Sequence, residues 1–385
     1  MIPHIFWTFL TLGCTAFGGP MAHLALFRRE FVTQRHWISD ADYSQLVALC
    51  QLIPGPASSQ VGMALGYRQG GLAGACAAFL GFTLPSAILM GLAGWAWIAG
   101  LGVDTKTLVT ALKCVAVAVI ADAALGLWRS LCQTPATKLV ALLSMGCFVS
   151  LSHPLAPLGI IGLAFAAALL TPGSSPSAVP DKPMAGSGML GWLSLIGGLG
   201  MLLWFLSHWV ATPLTALVWG LYQSGALVFG GGHVVLPLLE STVSPPVSAD
   251  SFLAGYGIAQ AMPGPLFTVA TFIGAVYPGV DPVLGAILAT LCIFLPGALF
   301  LMATLPTAMT TMQALQPRLQ FVNACVVGLI FAVLIHPVSQ TAVIDGITAA
   351  LAGLGLLMTL VFRQSPLRVV LVVVSAAYGL GAITV

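Results

Sequence analysis

The chain has 385 residues, of which 59% are hydrophobic and only 6% are charged, and its net charge is +2. A soluble domain carries roughly 25% charged residues, so this composition excludes a soluble multidomain protein, and the small net charge gives no reason to expect nucleic acid as a partner. About 20 apolar residues cross a bilayer, so the length allows on the order of twelve or thirteen spans and indicates a polytopic all-α membrane protein.

Apolar runs between charged or Pro/Gly-rich breaks predict about thirteen transmembrane helices. The first apolar stretch has no basic region before it, so we interpret it as a span and not as a cleaved signal. The short pairs 137–152/156–171 and 340–361/368–385 are also compatible with tilted hairpins. The predicted spans are 5–27, 45–66, 72–97, 107–127, 137–152 and 156–171, then, after a polar linker at 171–188, 189–210, 217–239, 251–275, 284–304, 319–338, 340–361 and 368–385.

The chain repeats itself at a nearly constant distance. QLIPGP at 51–56 returns as QAMPGP at 260–265, AFGGP at 16–20 as VFGGG at 228–232, GFTLPSA at 81–87 as CIFLPGA at 292–298, and KCVAVAVIA at 113–121 as ACVVGLIFA at 324–332. These matches predict an N-terminal repeat at 1–170, a linker plus one extra span at 171–210, and a C-terminal repeat at 211–385. Because one extra span separates two six-helix halves, the second half is predicted to be inverted, as in secondary transporters.

The positive-inside rule tests this threading. If every predicted span crosses once, the basic residues divide unequally between the two faces of the membrane. The face of the N-terminus has Arg68, Arg129, Lys138, Lys182, Arg318, Arg363 and Arg368, and the other face has Arg28, Arg29, Arg35 and Lys106. This majority predicts a cytoplasmic N-terminus and a periplasmic C-terminus. The cluster of Arg28, Arg29 and Arg35 is the exception, and it is compatible with a solvated loop or with an electropositive vestibule.

The strongest local signal is the run Gln51 to Gln60, QLIPGPASSQ. Two prolines around a glycine cannot continue a helix, so the helix is predicted to stop and to restart at Pro56. A restarted helix presents free backbone N–H groups and the positive end of its dipole, which suit an anion. A proline kink used only for packing is the alternative. The predicted substrate-binding residues of this motif are Gln51, Pro54, Gly55, Pro56, Ser58, Ser59 and Gln60.

The second copy keeps the Pro-Gly-Pro break but replaces most donors by apolar groups, so the polar chemistry is predicted to lie in the first half. The glycine runs after Phe17 and Phe229 are further break candidates, for helix packing or for ligand approach. His23 and His233 fit packing or interfacial positions better than proton transfer. The second-half counterparts of the site are Gly230, Gly231, Gln260, Pro263, Gly264, Pro265 and Thr268.

Lys113 lies well inside a predicted span. It either snorkels to the membrane surface or forms a fixed cation facing a polar interior. The chain shows no HExxH, GxSG, GxGD or DDxxD motif, which argues against an intramembrane enzyme. The eight cysteines have no CxxC spacing, so neither a metal nor a disulfide is expected, and no cofactor is predicted. A channel remains the alternative, although broken helices in an inverted repeat favour alternating access.

The tracts FGGPMAHLALFRREFV (17–32), LVALCQLIPGPASSQVGMALG (46–66) and GFTLPSA (81–87) closely resemble the N-terminal half of the chromate ion transporter family. FGGGHVVLPLLE (229–240) and GIAQAMPGP (257–265) resemble the opening of its second half. The resemblance implies a two-domain inner-membrane carrier that exports chromate and confers chromate resistance. It also gives functional weight to Gly18, Gly19 and Pro20, to Arg28 and Arg29, to the Pro-Gly-Pro run, and to Lys113, which matches a lysine in the family's fourth span.

The expected partners are chromate, with sulfate or another oxyanion as the alternative, and the lipid bilayer; a homodimer is compatible with the sequence. A dianion leaving a cell held at about −100 mV gains about 4.6 kcal/mol. Coupled uptake would need several intramembrane acids or histidines, and the chain offers few, namely Asp122, Asp345, Glu30 and Glu240. Export driven largely by membrane potential is therefore predicted, with exchange for a counter-ion as the alternative.

Overall fold

The computed structural model describes residues 1–17, 19–100, 105–150, 212–228, 246–305 and 308–381, with the short pieces 160, 163–164, 239–240 and 242–243. These residues form helices joined by turns, and no strand occurs among them, which confirms the predicted all-α class. The linker and extra span predicted at 171–210 lie outside the described residues, as do the glycines Gly18, Gly230 and Gly231.

The first half of the chain supplies six described helices. They are α1 (Ile2–Thr15), α2 (Gly19–Phe27, continued by a π-helical turn at Arg28–Gln34), α3 (Asp40–Leu52), α4 (Ala57–Ile98), α5 (Thr105–Leu131) and α6 (Pro135–Ser150). The breaks after α1 and α3 coincide with the glycine run and the Pro-Gly-Pro run, because neither sequence continues a regular helix.

The second half follows the same order. Its described helices are α7 (Pro213–Leu227), α8 (Ala249–Ala261), a 3₁₀ turn at Leu266–Thr268 that leads into α9 (Val269–Val276), α10 (Pro282–Thr304), α11 (Ala308–Val333, extended through Leu334–Val338 and Ser339–Ala342), α12 (Gly346–Leu356, extended through Leu357–Val361) and α13 (Pro366–Gly381).

Helix α4 folds back on itself at Gly70 and Gly71, whose backbone angles are not helical. The resulting segments, α4a (57–69) and α4b (72–98), pack so closely that neither Gly66 nor Gly74 has room for a side chain. In the second half α9 and α10 form the same hairpin, with Gly274 against Gly285. The matched glycine contacts show that the two repeats share this local structure.

One end of the molecule, here named the arginine end, is defined by His4, Arg28, Arg35, Asp42 and Arg68. Arg35 lies 2.9 Å from His4 and Arg68 lies 3.4 Å from Asp42. Arg28 pairs with Asp40 in the same helix turn as Asp42. The prediction that Arg28, Arg29 and Arg35 lie on the opposite face from Arg68 and the N-terminus was therefore wrong.

The physical reason for this difference is helix length. Helix α1 has 14 residues and α3 has 13, which corresponds to about 20 Å each and is short of a bilayer. The chain turns back at each break, so the predicted spans 5–27 and 45–66 each consist of two short helices whose outer ends meet at the arginine end.

The other end, here named the Lys113 end, is defined by Trp97, Lys113, Asp250 and Ser251. Trp97 Nε1 donates to Ser251 Oγ over 3.1 Å, and Lys113 Nζ lies 2.6 Å from Asp250. Segment α4b connects the two ends, since it begins beside α1 and finishes at Trp97. The second-half helix α8 begins at the Lys113 end, whereas its counterpart α3 begins at the arginine end.

Four helices among the described residues are long and apolar enough to cross a membrane, at Ala57–Ile98, Thr107–Arg129, Pro282–Thr304 and Gln320–Ala342. Because α4a turns back, the part of the first that is long enough to cross is α4b. The helices at Pro135–Ser150, Gly346–Val361 and Pro366–Leu380 are apolar but shorter. Many of the exposed large side chains are apolar, including Leu84, Ile88 and Trp95 on α4b, as expected for surfaces that face lipid.

Candidate anion site at the two broken helices

Each Pro-Gly-Pro break is held by the other half of the molecule. The backbone N–H of Gly55 donates to the carbonyl of Val228 over 2.7 Å, and the N–H of Gly264 donates to the carbonyl of Ala16 over 2.9 Å. Gly264 corresponds to Gly55 in the repeat, and Val228 corresponds to Ala16. The two halves therefore exchange equivalent hydrogen bonds, and each break is completed only when both halves are present.

Both central glycines have backbone angles that other residues rarely adopt, with φ of +123° at Gly55 and +98° at Gly264. A Cβ on Gly55 would lie 2.7 Å from the Cα of Gly297, whereas a Cβ on Gly264 would lie 2.7 Å from the Oγ of Ser86. Each loop thus packs against the proline-containing long helix of the opposite half.

The two restarted helices face each other. Pro56, Ala57 and Ser58 from the first break and Pro265, Leu266 and Phe267 from the second line one gap, together with Pro20 at the start of α2. The gap has room for about one water molecule. The structure thus brings together four of the predicted site residues, Pro20, Pro56, Ser58 and Pro265.

The helix start at Pro56 leaves backbone donors free. No side chain caps it, and the first bond within the helix is from the Gln60 N–H to the Pro56 carbonyl, at 3.0 Å. The N–H groups of Ala57, Ser58 and Ser59 therefore have no partner within their own helix. Five other described helices, α3, α7, α8, α10 and α12, are capped by side chains, namely Ser39, Thr212, Ser248, Asp281 and Asp345.

Two side chains of this first turn contain buried polar atoms without a partner among the described residues. Ser59 Oγ and Gln60 Oε1 make no hydrogen bond there, although the side chains are only 3% and 0% exposed. Such atoms are costly unless a ligand or water satisfies them. The Nε2 of Gln60 donates to the carbonyls of Pro54 and Gly297, over 2.7 and 3.0 Å. Gln60 is one of the predicted substrate-binding residues, and its amide group is used in these two bonds, which brace the break against the second half.

His23 lies directly behind the helix start. It is 1% exposed, its Nε2 lies 3.2 Å from the Ala16 carbonyl, its Nδ1 lies 3.5 Å from Ser58 Oγ, and its ring meets the Phe82 ring edge-on at 5.3 Å. The sequence suggested packing or an interfacial position; the residue is in the interior and contacts a predicted site residue. The spacing of His23 from Ser58, 35 residues, gave no signal of this contact.

The second break is apolar where the first is polar. Its helix begins as a 3₁₀ turn without a side-chain cap, and the Thr268 hydroxyl donates to the Pro265 carbonyl over 2.8 Å. Phe267 packs against Phe294, with ring centroids 5.7 Å apart. Gln260 carries an unpartnered buried Nε2 within the described residues. The first-half side of the gap therefore carries the Ser58 hydroxyl and the uncapped helix start, whereas the second-half side is lined by Pro265, Leu266 and Phe267.

The remaining predicted residues take different places. Gly19 begins α2 with a φ of +79°, Gln51 is exposed near the end of α3, and Pro54 and Pro263 are half-buried in their breaks. None of these four lines the gap.

The predicted vestibule arginines lie at the arginine end and are mostly ion-paired. Arg28 donates to both carboxylate oxygens of Asp40, over 2.6 and 2.9 Å, and these bonds hold the pKa of Asp40 below its ordinary value. Arg35 lies 2.6 Å from Glu30. Arg29 is exposed and forms no ion pair within the part of the chain that the structure describes. One cation of the cluster is therefore without an ion-pair partner among the described residues.

Lys113 pairs with Asp250 at 2.6 Å and is 14% exposed, whereas Asp250 is 62% exposed. The ammonium thus reaches the polar Lys113 end, where it links α5 of the first half to α8 of the second. It does not line the gap. Sequence reasoning missed Asp250 because the two residues lie in different repeats.

A helical membrane protein in which two broken helices meet has the architecture typical of secondary transporters. Comparison with known proteins narrows this class. The family model described as chromate transporter matches residues 3–171 and 215–380, two stretches that correspond to the two repeats. The chain therefore belongs to the chromate transporter family, and it is a multi-pass membrane protein.

Similar proteins cover nearly the whole chain. The chromate transport protein of Pseudomonas aeruginosa is 30% identical over 97% of this chain and 90% of its own length. The chromate transport protein of Cupriavidus metallidurans is 27% identical over 92% of this chain and 87% of its own length. The probable chromate transport protein of Synechococcus elongatus is 28% identical over 83% of this chain and 79% of its own length. No solved structure matches the chain. These relatives support a role in chromate transport.

Proposed function

We propose that this protein exports chromate across the bacterial inner membrane as a secondary transporter and binds the anion at the start of α4. The observation that carries the site is the uncapped helix start, whose first N–H groups and buried Ser59 hydroxyl have no hydrogen-bond partner among the described residues. A tetrahedral dianion offers acceptors in several directions, and it is favoured by the positive end of the helix dipole. The apolar wall from the second half excludes water and strengthens these contacts.

The threading proposed for this transporter is an inverted repeat with re-entrant hairpins. The first-half hairpins enter at the arginine end, and α8 of the second half begins at the Lys113 end, which supports the inversion. The positive-inside rule then favours a cytoplasmic arginine end and N-terminus, and a periplasmic C-terminus. Arg129 and Lys138 join this end, because α5 begins near the Lys113 end and runs about 24 Å between Lys113 and Arg129.

Accessibility labelling tests this threading in a cysteine-free background. Single cysteines at the exposed positions Thr33 and Gly346 are expected to react from opposite sides of the membrane, Thr33 from the cytoplasm. Labelling of both from one side contradicts the inversion and leaves the anion site to be tested separately.

The size of the gap bears on the transport step. Chromate needs more room than one water molecule, so we propose that the two halves separate at the gap when the anion enters and leaves. The crossed bonds from Gly55 to Val228 and from Gly264 to Ala16 lie at this junction. If this separation opens the site to one side of the membrane at a time, the protein works by alternating access. Alternating access is the mechanism of a carrier and not of a channel.

The proposed driving force is the membrane potential. A dianion gains about 4.6 kcal/mol on leaving a cell held at about −100 mV. Everted vesicles containing the protein should accumulate chromate in response to an imposed voltage. Accumulation that ignores voltage and follows only an imposed pH gradient would contradict this mechanism.

Sulfate is the second candidate substrate, because backbone N–H and serine donors recognise the oxygens of any tetrahedral dianion. Chromate and sulfate flux should be measured in one preparation of vesicles reconstituted with purified protein. We expect faster chromate flux, in line with the relatives named for chromate transport. Saturable sulfate flux without chromate flux would reassign the substrate.

A further inference from the structure

A groove opens on the outer surface of the molecule, between α4b of the first half and α9 and α10 of the second. It has a volume of about 490 Å³, which is within the range of small-molecule sites. Its rim consists of large apolar side chains that are exposed, among them Ile88, Leu92 and Ile287. Because such side chains face lipid, the groove opens to the hydrocarbon core of the bilayer. We name it the lateral groove.

Three threonines supply hydroxyl groups to this otherwise apolar lining, and one of them is unused. The Thr290 hydroxyl donates to the Ala286 carbonyl over 2.7 Å; because its single proton is used there, the Thr271 hydroxyl donates to Thr290, also over 2.7 Å. Thr83 Oγ1 has no hydrogen-bond partner among the described residues, although the residue is only 3% exposed. A buried hydroxyl without a partner is costly, so the groove offers one free donor to the molecule that fills it.

The depth of Thr83 limits what this molecule can be. The midpoint of α4b (72–98) is Pro85, so Thr83 lies about 3 Å from the midpoint along the helix axis. The hydrocarbon core is about 30 Å thick, which places the ester and phosphate groups of a phospholipid about 15 Å from this depth. A phospholipid reaches Thr83 only with its acyl chains, which have no hydrogen-bond acceptor. The donor therefore calls for an apolar molecule that carries an acceptor inside the hydrocarbon core.

We propose that the lateral groove binds an isoprenoid quinone, with a quinone carbonyl accepting a hydrogen bond from Thr83. Such a quinone is a flat ring with carbonyl acceptors and a hydrocarbon tail, and it dissolves in the hydrocarbon core of the membrane. The ring matches the threonines and the aromatic side chain of Phe79, which also lines the groove. The tail matches the aliphatic rim, which leads to the lipid.

The lateral groove is distinct from the anion gap. Phe79 lines the groove and Phe267 lines the gap. Phe294 packs against both of these rings, with centroid distances of 5.2 and 5.7 Å. A row of three rings therefore lies between the two cavities. The quinone differs from the transported anion in both place and chemistry, so this inference does not rest on the proposed function.

The test is binding of decylubiquinone to the purified protein in nanodiscs of phosphatidylcholine, with empty nanodiscs as the background for partition into lipid. A quinone ring quenches a nearby indole, and Trp95 lines the groove, so saturable quenching that is reduced in Trp95→Phe reports occupation of the groove. Thr83→Val should raise the Kd about three- to tenfold, because one neutral hydrogen bond is lost. Gly91→Leu should abolish saturable binding, because its side chain enters the groove.

Two matched variants complete the design. Gly91→Ala adds a Cβ that meets only Thr271 Cγ2 at 3.8 Å, and Thr11→Val removes a hydroxyl that bonds within α1, so both should bind like the wild type. Quenching that matches empty nanodiscs overturns the proposal, as does equal affinity of the wild type and Thr83→Val or saturable binding that survives Gly91→Leu. A cryo-EM map at saturating quinone that shows a phospholipid chain or a second copy of the protein in the groove also overturns it.

Discussion

The two Pro-Gly-Pro breaks share one backbone conformation but differ in the polarity of the residues that follow them. Gly55 and Gly264 have positive φ angles and donate to equivalent carbonyls of the opposite half. After the first break the chain enters an α-helix in which buried polar atoms of Ser59 and Gln60 have no hydrogen-bond partner among the described residues. After the second it enters a 3₁₀ turn whose Thr268 hydroxyl is already bonded to Pro265. Both repeats need the same backbone conformation to form the junction, whereas ligand-binding groups are needed on only one side of the gap.

The largest expected effect is on stability, and it tests the backbone conformation that the two breaks share. We expect Gly55→Ala to lower the free energy of unfolding by about 2–5 kcal/mol, because the left-handed backbone and the contact with the Gly297 backbone both penalise a side chain. Gly264→Ala should cost less, since its two nearest neighbours, Ser86 Oγ at 2.7 Å and Ser86 Cβ at 3.0 Å, belong to a side chain and not to the backbone. Unfolding in detergent measures both, with Gly346→Ala as the control because nothing lies within 4 Å of its added Cβ. Equal losses would mean that the two breaks are equally tight.

The next largest effect is on chromate binding, and it tests the difference in polar groups between the two breaks. Ser59→Ala should weaken chromate binding by about tenfold to a hundredfold, because a hydrogen bond to a charged ligand contributes about 1.5–3 kcal/mol. Thr268→Val is the matched change in the second half, and it should leave affinity within about threefold of the wild type, since its hydroxyl is already used. Equilibrium binding at matched folded protein decides between them. Equal loss from both would show that the second break also binds the anion.

A smaller effect concerns how the anion approaches the protein at the arginine end. Arg29→Gln should lower chromate flux about two- to fivefold at low ionic strength, because this exposed arginine forms no ion pair among the described residues and attracts anions. The difference should disappear at about 0.5 M salt, where charges are screened. Arg29→Lys keeps the charge and serves as the control. Loss of flux that persists at high salt in both variants would assign Arg29 a structural or direct binding role.

The smallest effect concerns the Lys113 end. The Lys113–Asp250 coupling energy should be about 0.2–1 kcal/mol in a double-mutant cycle of Lys113→Gln and Asp250→Asn, since Asp250 is largely solvent-exposed. Lys113→Arg should retain transport. Abolition of transport by Lys113→Gln, with Asp250→Asn unchanged, would make Lys113 a substrate-binding cation and contradict a role in joining the halves.

Composition and local sequence determined a large part of this protein. Few charges and long apolar runs leave a helical membrane protein as the available class, and the motif offsets reveal two repeats. The Pro-Gly-Pro run breaks a helix in each half, because proline lacks an N–H and the glycine permits positive φ. The contrast between the Ser58–Ser59 turn and the Leu266–Phe267 turn is likewise readable from the residues alone.

Tertiary structure decided where these local features meet. Apolar periodicity marks a span of about the right length, but it cannot show that a 14-residue helix turns back, so Arg28 and Arg68 were assigned to different faces although both pair with carboxylates in one turn of α3. Gly55 and Lys113 pair with residues of the other repeat, and the amide of Gln60 bonds the Gly297 carbonyl of the other repeat as well as Pro54 in its own. Hydrogen bonds and ion pairs act over a few ångströms in space, and sequence patterns within one repeat contain no information about which distant carbonyl or carboxylate will lie there.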